Sequence, residues 1–242
     1  MLIPYVVSFV ILVSTALLRG EPFSQPADLM WGALAGILVM AGYGFLLNGF
    51  ATGRMGIVAP VSGVLATAIP VIFSAFTEGL PHALQLLGFV LALVSIWMLS
   101  RPEKFGGRPE GLGMALLAGL GFGGFFTALN QVGESAVFWP LAAGRLTAAV
   151  LMVLFALFTR RSILPQAPPL VLLALLGLLD VGGNLFFLLA VQSGRLDVAA
   201  VLASLYPAIT AILAWLITKE HMARLQVIGV VVAVLAIALI TL

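Results

Sequence analysis

The chain has 242 residues, of which 62% are apolar and only 8% charged, and its mean hydropathy is +1.22, a balance no soluble core requires and one that places it in a bilayer. A sequence pI near 9.4 does not make it a nucleic-acid binder, because the net charge is only +2 and the basic residues are scattered through the breaks between apolar runs, where they act as topology signals. Cysteine is absent and there are two histidines, which excludes disulfides and thiolate metal sites and leaves no basis for a metal or other cofactor.

In chain order, nine apolar runs are long enough to cross about 30 Å of hydrocarbon. They fall near 1–18, 29–51, 57–76, 82–100, 111–131, 136–158, 168–191, 198–217 and 222–242. The first has neither a basic start nor a small-residue cleavage site and reads as a retained helix. The breaks are short and rich in Gly, Pro and charge: RGEPFSQPAD from Arg19, RPEKFGGRPE from Arg101, RRSILPQAPP from Arg160. Because the runs are continuously apolar and do not alternate, helices are expected and barrel strands are not. The expected fold is an all-α, polytopic membrane helix bundle whose partner is the lipid bilayer.

The chain also contains itself twice. GRMGIVAPVSGVLATAIP from Gly53 and GRLDVAAVLASLYPAIT from Gly194 lie 141 residues apart, and the same offset carries Arg19 onto Arg160 and Gly42 onto Gly183. The first repeat is expected over residues 1–100 and the second over 111–242. The offset maps the last four runs onto the first four and leaves the run at Gly111 without a mate, so four helices face five. A parent of ten helices, with about 30 residues absent from this N-terminus, explains that imbalance more simply than a nine-helix variant. An odd number of helices per repeat sets the two repeats in opposite orientations, with a site at the midplane between them.

SLYPAIT from Ser204 and KEHMARLQVIG from Lys219 resemble the C-terminal signature of EamA-like proteins of the drug/metabolite transporter superfamily. APVSGVLATAIP from Ala59 and TEGLPHALQLLG from Thr77 are similar to the same signature in its first copy. The resemblance covers nearly the whole chain and implies export or exchange of small metabolites, amino acids or drugs across a bacterial inner membrane. Eight basic residues (Arg54, Arg101, Lys104, Arg108, Arg160, Arg161, Lys219 and Arg224) share the side of the N-terminus, against Arg19 and Arg195 opposite, which places that N-terminus in the cytoplasm. Family members are drawn with both ends inside, which would put this C-terminus in the cytoplasm, whereas the charge count, which is preferred, places it outside.

Few polar residues lie within the runs, and a charge at a helix centre costs roughly 2.5–3.5 kcal/mol on insertion scales, so each needs a reason. Asp180 lies near the middle of its run, Asn184 one turn later on the same face, and Arg145 in the preceding run. The repeat sets Val39, Tyr43 and Pro4 at the equivalent positions, so ionisable groups occur in one copy only, and a site is expected where the symmetry breaks. Asp180 is read either as a carboxylate that exchanges a proton or meets a cationic substrate group, or as half of a static Arg145–Asp180 pair that locks two helices. Arg145 could also snorkel to an interface or receive a substrate carboxylate.

Ser204 and Tyr206, beside Pro207, offer hydroxyls near the same depth. Pro60, Pro70 and Pro207 mark helices that bend, since each removes a backbone hydrogen bond and frees a carbonyl one turn back. Asn130, Gln131 and Glu134 read as interfacial polar groups, with Asn130 kept as a candidate contact. Asn48 reads as helix glue, and Gly32 with Gly36 and Gly119 with Gly123 as close-packing faces. Glu78 and Glu220 read as helix-end and loop charges, and Trp97, Trp139 and Trp215 suit the interfacial belt.

The expected activity is secondary transport of a small molecule by alternating access. A non-transporting scaffold or subunit completed by another chain is the alternative, and a homodimer is left open. An intramembrane enzyme is disfavoured because HExxH and GxSxG are absent and only one Asp lies well inside the membrane.

Overall fold

A computed structural model describes residues 2–52, 55–100, 111–159, 170–205, 208–209, 212, 216 and 224–241. The described residues form nine helices: α1 (Leu2–Arg19), α2 (Pro26–Thr52), α3 (Met55–Thr77), α4 (Ala83–Ser100), α5 (Leu112–Asn130), α6 (Phe138–Thr159), α7 (Leu170–Ser193), α8 (Leu196–Ser204) and α9 (Arg224–Thr241). Five of these, α1, α2, α5, α6 and α7, carry segments long and apolar enough to cross a membrane. The all-helical bundle expected from the uninterrupted apolar runs is the fold observed, and the chain is a membrane protein.

Local chemistry sets the helix ends. Pro26 opens α2, where its missing N–H costs nothing because the first turn has no intrahelical acceptor for it. Gly20 closes α1 with a φ of 64°, and the Glu21 N–H reaches back to the Ala16 carbonyl at 2.9 Å while the Gly20 N–H reaches Leu17 at 3.2 Å. That pairing satisfies carbonyls the helix would otherwise leave open, and it needs the left-handed backbone that glycine adopts most readily. The first turn of α6 is capped from a distance: the Glu21 carboxylate accepts the N–H groups of Val137 and Phe138, each at 3.1 Å. An anion among those free donors also complements the positive end of the helix dipole.

The chain packs as two compact units, each drawing on both sequence repeats. Unit 1 comprises Met1–Ala41 and Gly124–Ser193, and unit 2 comprises Gly42–Gly123 and Gly194–Leu242. In unit 1, α1 packs on α6 and α7. Gly32 and Gly36 of α2 lie directly on the α6 backbone, where a Cβ on either would strike the carbonyl of Pro140 or Gly144. This is the close-packing face expected of a GxxxG segment. In unit 2, α3 packs on α8 and α4 on α9, each against the helix at the equivalent position of the repeat. Phe89, Ile96, Val201, Leu205, Ala236 and Ile240 belong to the apolar core of this unit.

Exposed positions remain apolar, among them Leu175, Leu179 and Phe186 on α7 and Val231, Val234 and Leu235 on α9. A soluble protein would have to bury such surface, whereas hydrocarbon solvates it. Helix α3 continues through Pro60 and Pro70, and Pro70 is fully buried.

Candidate functional site

In unit 1 three helices bring their polar side chains together. Asp180 is the eleventh of the 24 residues of α7, so it projects from mid-helix. Arg145 comes from α6 and meets it side-on, with Nε 2.9 Å from Oδ2 and Nη2 donating to Oδ1 at 3.2 Å. This two-point contact uses the planar fork of the guanidinium and fixes the carboxylate's orientation as well as its distance. Asn184, one turn on, donates from Nδ2 to Asp180 Oδ1 at 3.2 Å and to the Asp180 backbone carbonyl at 2.7 Å.

Helix α1 supplies two further contacts. The Ser8 hydroxyl lies 3.2 Å from Asp180 Oδ2 and 3.0 Å from the Gly177 carbonyl. The Arg145 guanidinium stands over the Tyr5 ring, 5.7 Å from its centre. The sequence gives no direct signal for Ser8 or Tyr5, because neither breaks an apolar run and single hydroxyls are common in membrane helices. Three residues apart, they share one helix face.

Exposure is uneven across the pair: the Arg145 side chain is 6% exposed and the Asp180 side chain 34%. The cation is sealed among Tyr5, α2 and α6, and the carboxylate is the accessible end. Beside them is a cavity of about 10 Å³, lined by Gly32, Gly36, Phe125, Gly144, Arg145 and Asn184, room for roughly one water. Residues of both sequence repeats meet here, with Tyr5, Ser8, Gly32 and Gly36 from the first and Arg145, Asp180 and Asn184 from the second.

The structure thus brings together Arg145, Asp180 and Asn184. Among the described residues, Asn130 closes α5 half-buried and takes no part in the hydrogen bonds of the pair. Ser204 belongs to unit 2, where its hydroxyl donates to the Ala200 carbonyl of its own helix at 2.7 Å. Tyr206, Pro207, Trp215 and Glu220 lie outside the described residues, as does the Pro60 side chain. Asn48 reaches from α2 to Met114 Sδ on α5 at 3.8 Å.

A second ionic cluster stands at a helix end in unit 2. Arg195 precedes α8 and holds Asp197 through Nη2 and Oδ2 at 2.9 Å, and it donates to the Gly79 carbonyl at 2.7 Å. Glu78 accepts from Ser74 Oγ at 2.9 Å and from the Leu196 N–H at 3.3 Å. The hydrogen bond to Asp197 is the main cause that holds the Arg195 guanidinium above its ordinary value. The cluster ties the end of α3 to the start of α8, the helix-end role read for Glu78.

No curated protein matches the sequence. A solved crystal structure superimposes with a TM-score of 0.81 at 18% identity, covering 99% of this chain and 85% of the other, a likeness of fold. The profile of the EamA-like transporter family matches residues 109–242, more than half of the chain and the whole stretch that carries Arg145, Asp180 and the signature from Ser204. With that match the chain belongs to the EamA-like transporter family.

Proposed function

We propose that the protein is a secondary-active transporter of the inner membrane, exporting or exchanging a small metabolite, amino acid or drug by alternating access between two inverted repeats. The observation that carries this reading is the mid-helix Asp180 carboxylate, one-third exposed and held by a sealed arginine where residues of the two repeats meet. A charge at this depth is costly, and a pair that only locked helices would be best buried at both ends. An accessible carboxylate can leave its arginine for a proton or a substrate cation. The sequence contains no P-loop, so a gradient or the substrate itself supplies the driving force.

In this cycle Arg145 is the resident counter-ion, kept in place by Tyr5 while Asp180 changes partner. Asn184 keeps the carboxylate turned toward the site, and Asn130, Tyr206 and Ser204 remain secondary candidates for contact. Pro60, Pro70 and Pro207 mark the helices that bend as the repeats rock. The test is flux into proteoliposomes of a mass-detected panel of amino acids, nucleosides and hydrophobic cations, comparing the wild type with the isosteric Asp180→Asn. The expected result is movement of at least one solute by the wild type and a loss of tenfold or more in the variant. Equal flux in the two proteins sinks the role of Asp180. A wild type that moves nothing, alone or with added membrane extract, favours a scaffold or a subunit completed by another chain.

A further inference from the structure

Hydroxyl residues in membrane helices ordinarily spend their proton on the carbonyl one turn back. This chain follows the pattern at Thr15, Thr52, Thr67, Thr77, Thr147, Ser193 and Ser204, each bonded to the carbonyl four residues earlier. Ser8 and Ser95 depart from it by donating to a glycine carbonyl on a neighbouring helix, Gly177 at 3.0 Å and Gly229 at 2.8 Å. Both are fully buried. Of these two, Ser8 also has a carboxylate within reach among the described residues, at 3.2 Å.

A serine hydroxyl has one proton and cannot donate to both acceptors at once. While Asp180 is ionised it is the stronger acceptor, since a hydrogen bond to a charged group is worth about twice a neutral one. Once the carboxylate is protonated, or covered by a substrate cation, the Gly177 carbonyl becomes the better partner. The backbone is close enough for the exchange to need only a turn of the hydroxyl: a Cβ at Gly177 would lie 3.0 Å from the Pro4 carbonyl and 2.9 Å from the Val7 side chain. The ionisable groups around the carboxylate are Arg145 from α6 and, beyond the guanidinium, Tyr5 from α1.

We propose that Ser8 is a positioning residue that holds Asp180 on Arg145, and that its proton transfers its bond to the Gly177 carbonyl when Asp180 is neutralised. Helix α1 thereby registers the charge state of the site, with Tyr5 on the cation and Ser8 on the anion. The inference rests on the reading of Asp180 as the working carboxylate and adds the element that senses it.

The test uses dicyclohexylcarbodiimide, which modifies neutral carboxyl groups at membrane depth, on the full chain in lipid vesicles, with the adduct at Asp180 quantified by peptide mass spectrometry. Without the Ser8 proton the ionised form loses a donor, and Ser8→Ala is expected to label about tenfold faster than the wild type. Ser8→Thr restores the slow rate, and Ser8→Cys, a weak donor of similar size, falls between and serves if the alanine variant folds poorly. Ser95→Ala removes the matching bond in unit 2 and leaves Asp180 labelling unchanged, separating charge sensing from lost packing.

Equal labelling of wild type and Ser8→Ala overturns the proposal, and so does an Asp180 that stays unlabelled in both across the accessible pH range. The transport reading fails separately. If Ser8→Ala labels faster while Asp180→Asn transports normally, the Ser8 bond stands and the transport role of Asp180 falls; the reverse pattern leaves transport standing without Ser8.

Discussion

The two units solve the same packing problem with different chemistry. Unit 2 joins α4 to α9 through Phe89, Ile96, Ala236 and Ile240, with cross-helix bonds from Ser95 to the Gly229 carbonyl at 2.8 Å and from Gln85 to the Ile240 carbonyl at 3.5 Å, and its ionic cluster stays at the helix end around Arg195. Unit 1 joins α1 to α7 with the equivalent serine-to-glycine bond, and adds an arginine and an aspartate in mid-helix. Since the described helices of unit 2 pack along their lengths through apolar and neutral groups, the charges of unit 1 are not something a bundle of this kind requires. What folding does not require, at a cost of kilocalories for insertion, points to use.

The sharpest way to break that comparison is to remove the charges singly and then together. Arg145→Leu leaves Asp180 without its cation and is expected to destabilise by about 3–4 kcal/mol, the lower part of the range for a broken buried pair because the carboxylate is a third exposed. The double variant Arg145→Leu with Asp180→Leu removes both charges and recovers most of that loss. Thermal unfolding in detergent, followed by tryptophan fluorescence, measures both. If the double variant is as unstable as the single one, the pair holds unit 1 together and the contrast with unit 2 collapses.

Two glycines, one in each unit, differ in what surrounds them. Gly36 faces the Gly144 carbonyl across the α2–α6 contact, and backbone cannot turn aside. At Gly63 in α3 an added Cβ would lie 3.4 Å from Ile96 Cγ2, an ordinary contact with the end of a side chain. Gly36→Ala is therefore expected to cost about 2–3 kcal/mol, pushing α6 and Arg145 away from α2. Gly63→Ala is expected to be neutral or to stabilise by up to about 1 kcal/mol through helix propensity. Unfolding midpoints under identical detergent conditions decide it, and equal losses at the two positions would mean that α2 and α6 are free to separate.

Much of this was legible in the sequence because the bilayer demands long apolar runs, and those runs mark the helices. Asp180, Arg145 and Asn184 could be singled out because charge and amide stand out against Leu and Val, and because Val39, Tyr43 and Pro4 occupy the equivalent positions in the other repeat. Ser8 and Tyr5 could not, since their importance depends on the crossing of α1 with α6 and α7, which no local pattern encodes. Ser204 shows the converse: its place beside Pro207 made it conspicuous, yet its hydroxyl turns to Ala200 in its own helix. The Glu21 cap on α6 spans more than a hundred residues of sequence, beyond the reach of any capping rule that reads neighbours.

The smallest effect sharpens the comparison most, because it isolates the serine bond the units share. Ser95 donates to Gly229 at 2.8 Å, with no charged partner for its hydroxyl among the described residues, so Ser95→Ala should cost about 1 kcal/mol, the ordinary net worth of a neutral hydrogen bond. Ser8→Ala removes a proton that serves the Gly177 carbonyl or, while it is ionised, the Asp180 carboxylate, and its cost should exceed that of Ser95→Ala by about 1 kcal/mol, the extra worth of a charged acceptor. In the background of Asp180→Leu with Arg145→Leu the excess should vanish, leaving the two serines equal. If the excess persists once the charges are gone, it comes from the tight crossing of α1 over Gly177, and the resemblance between the two serine bonds is one of geometry only.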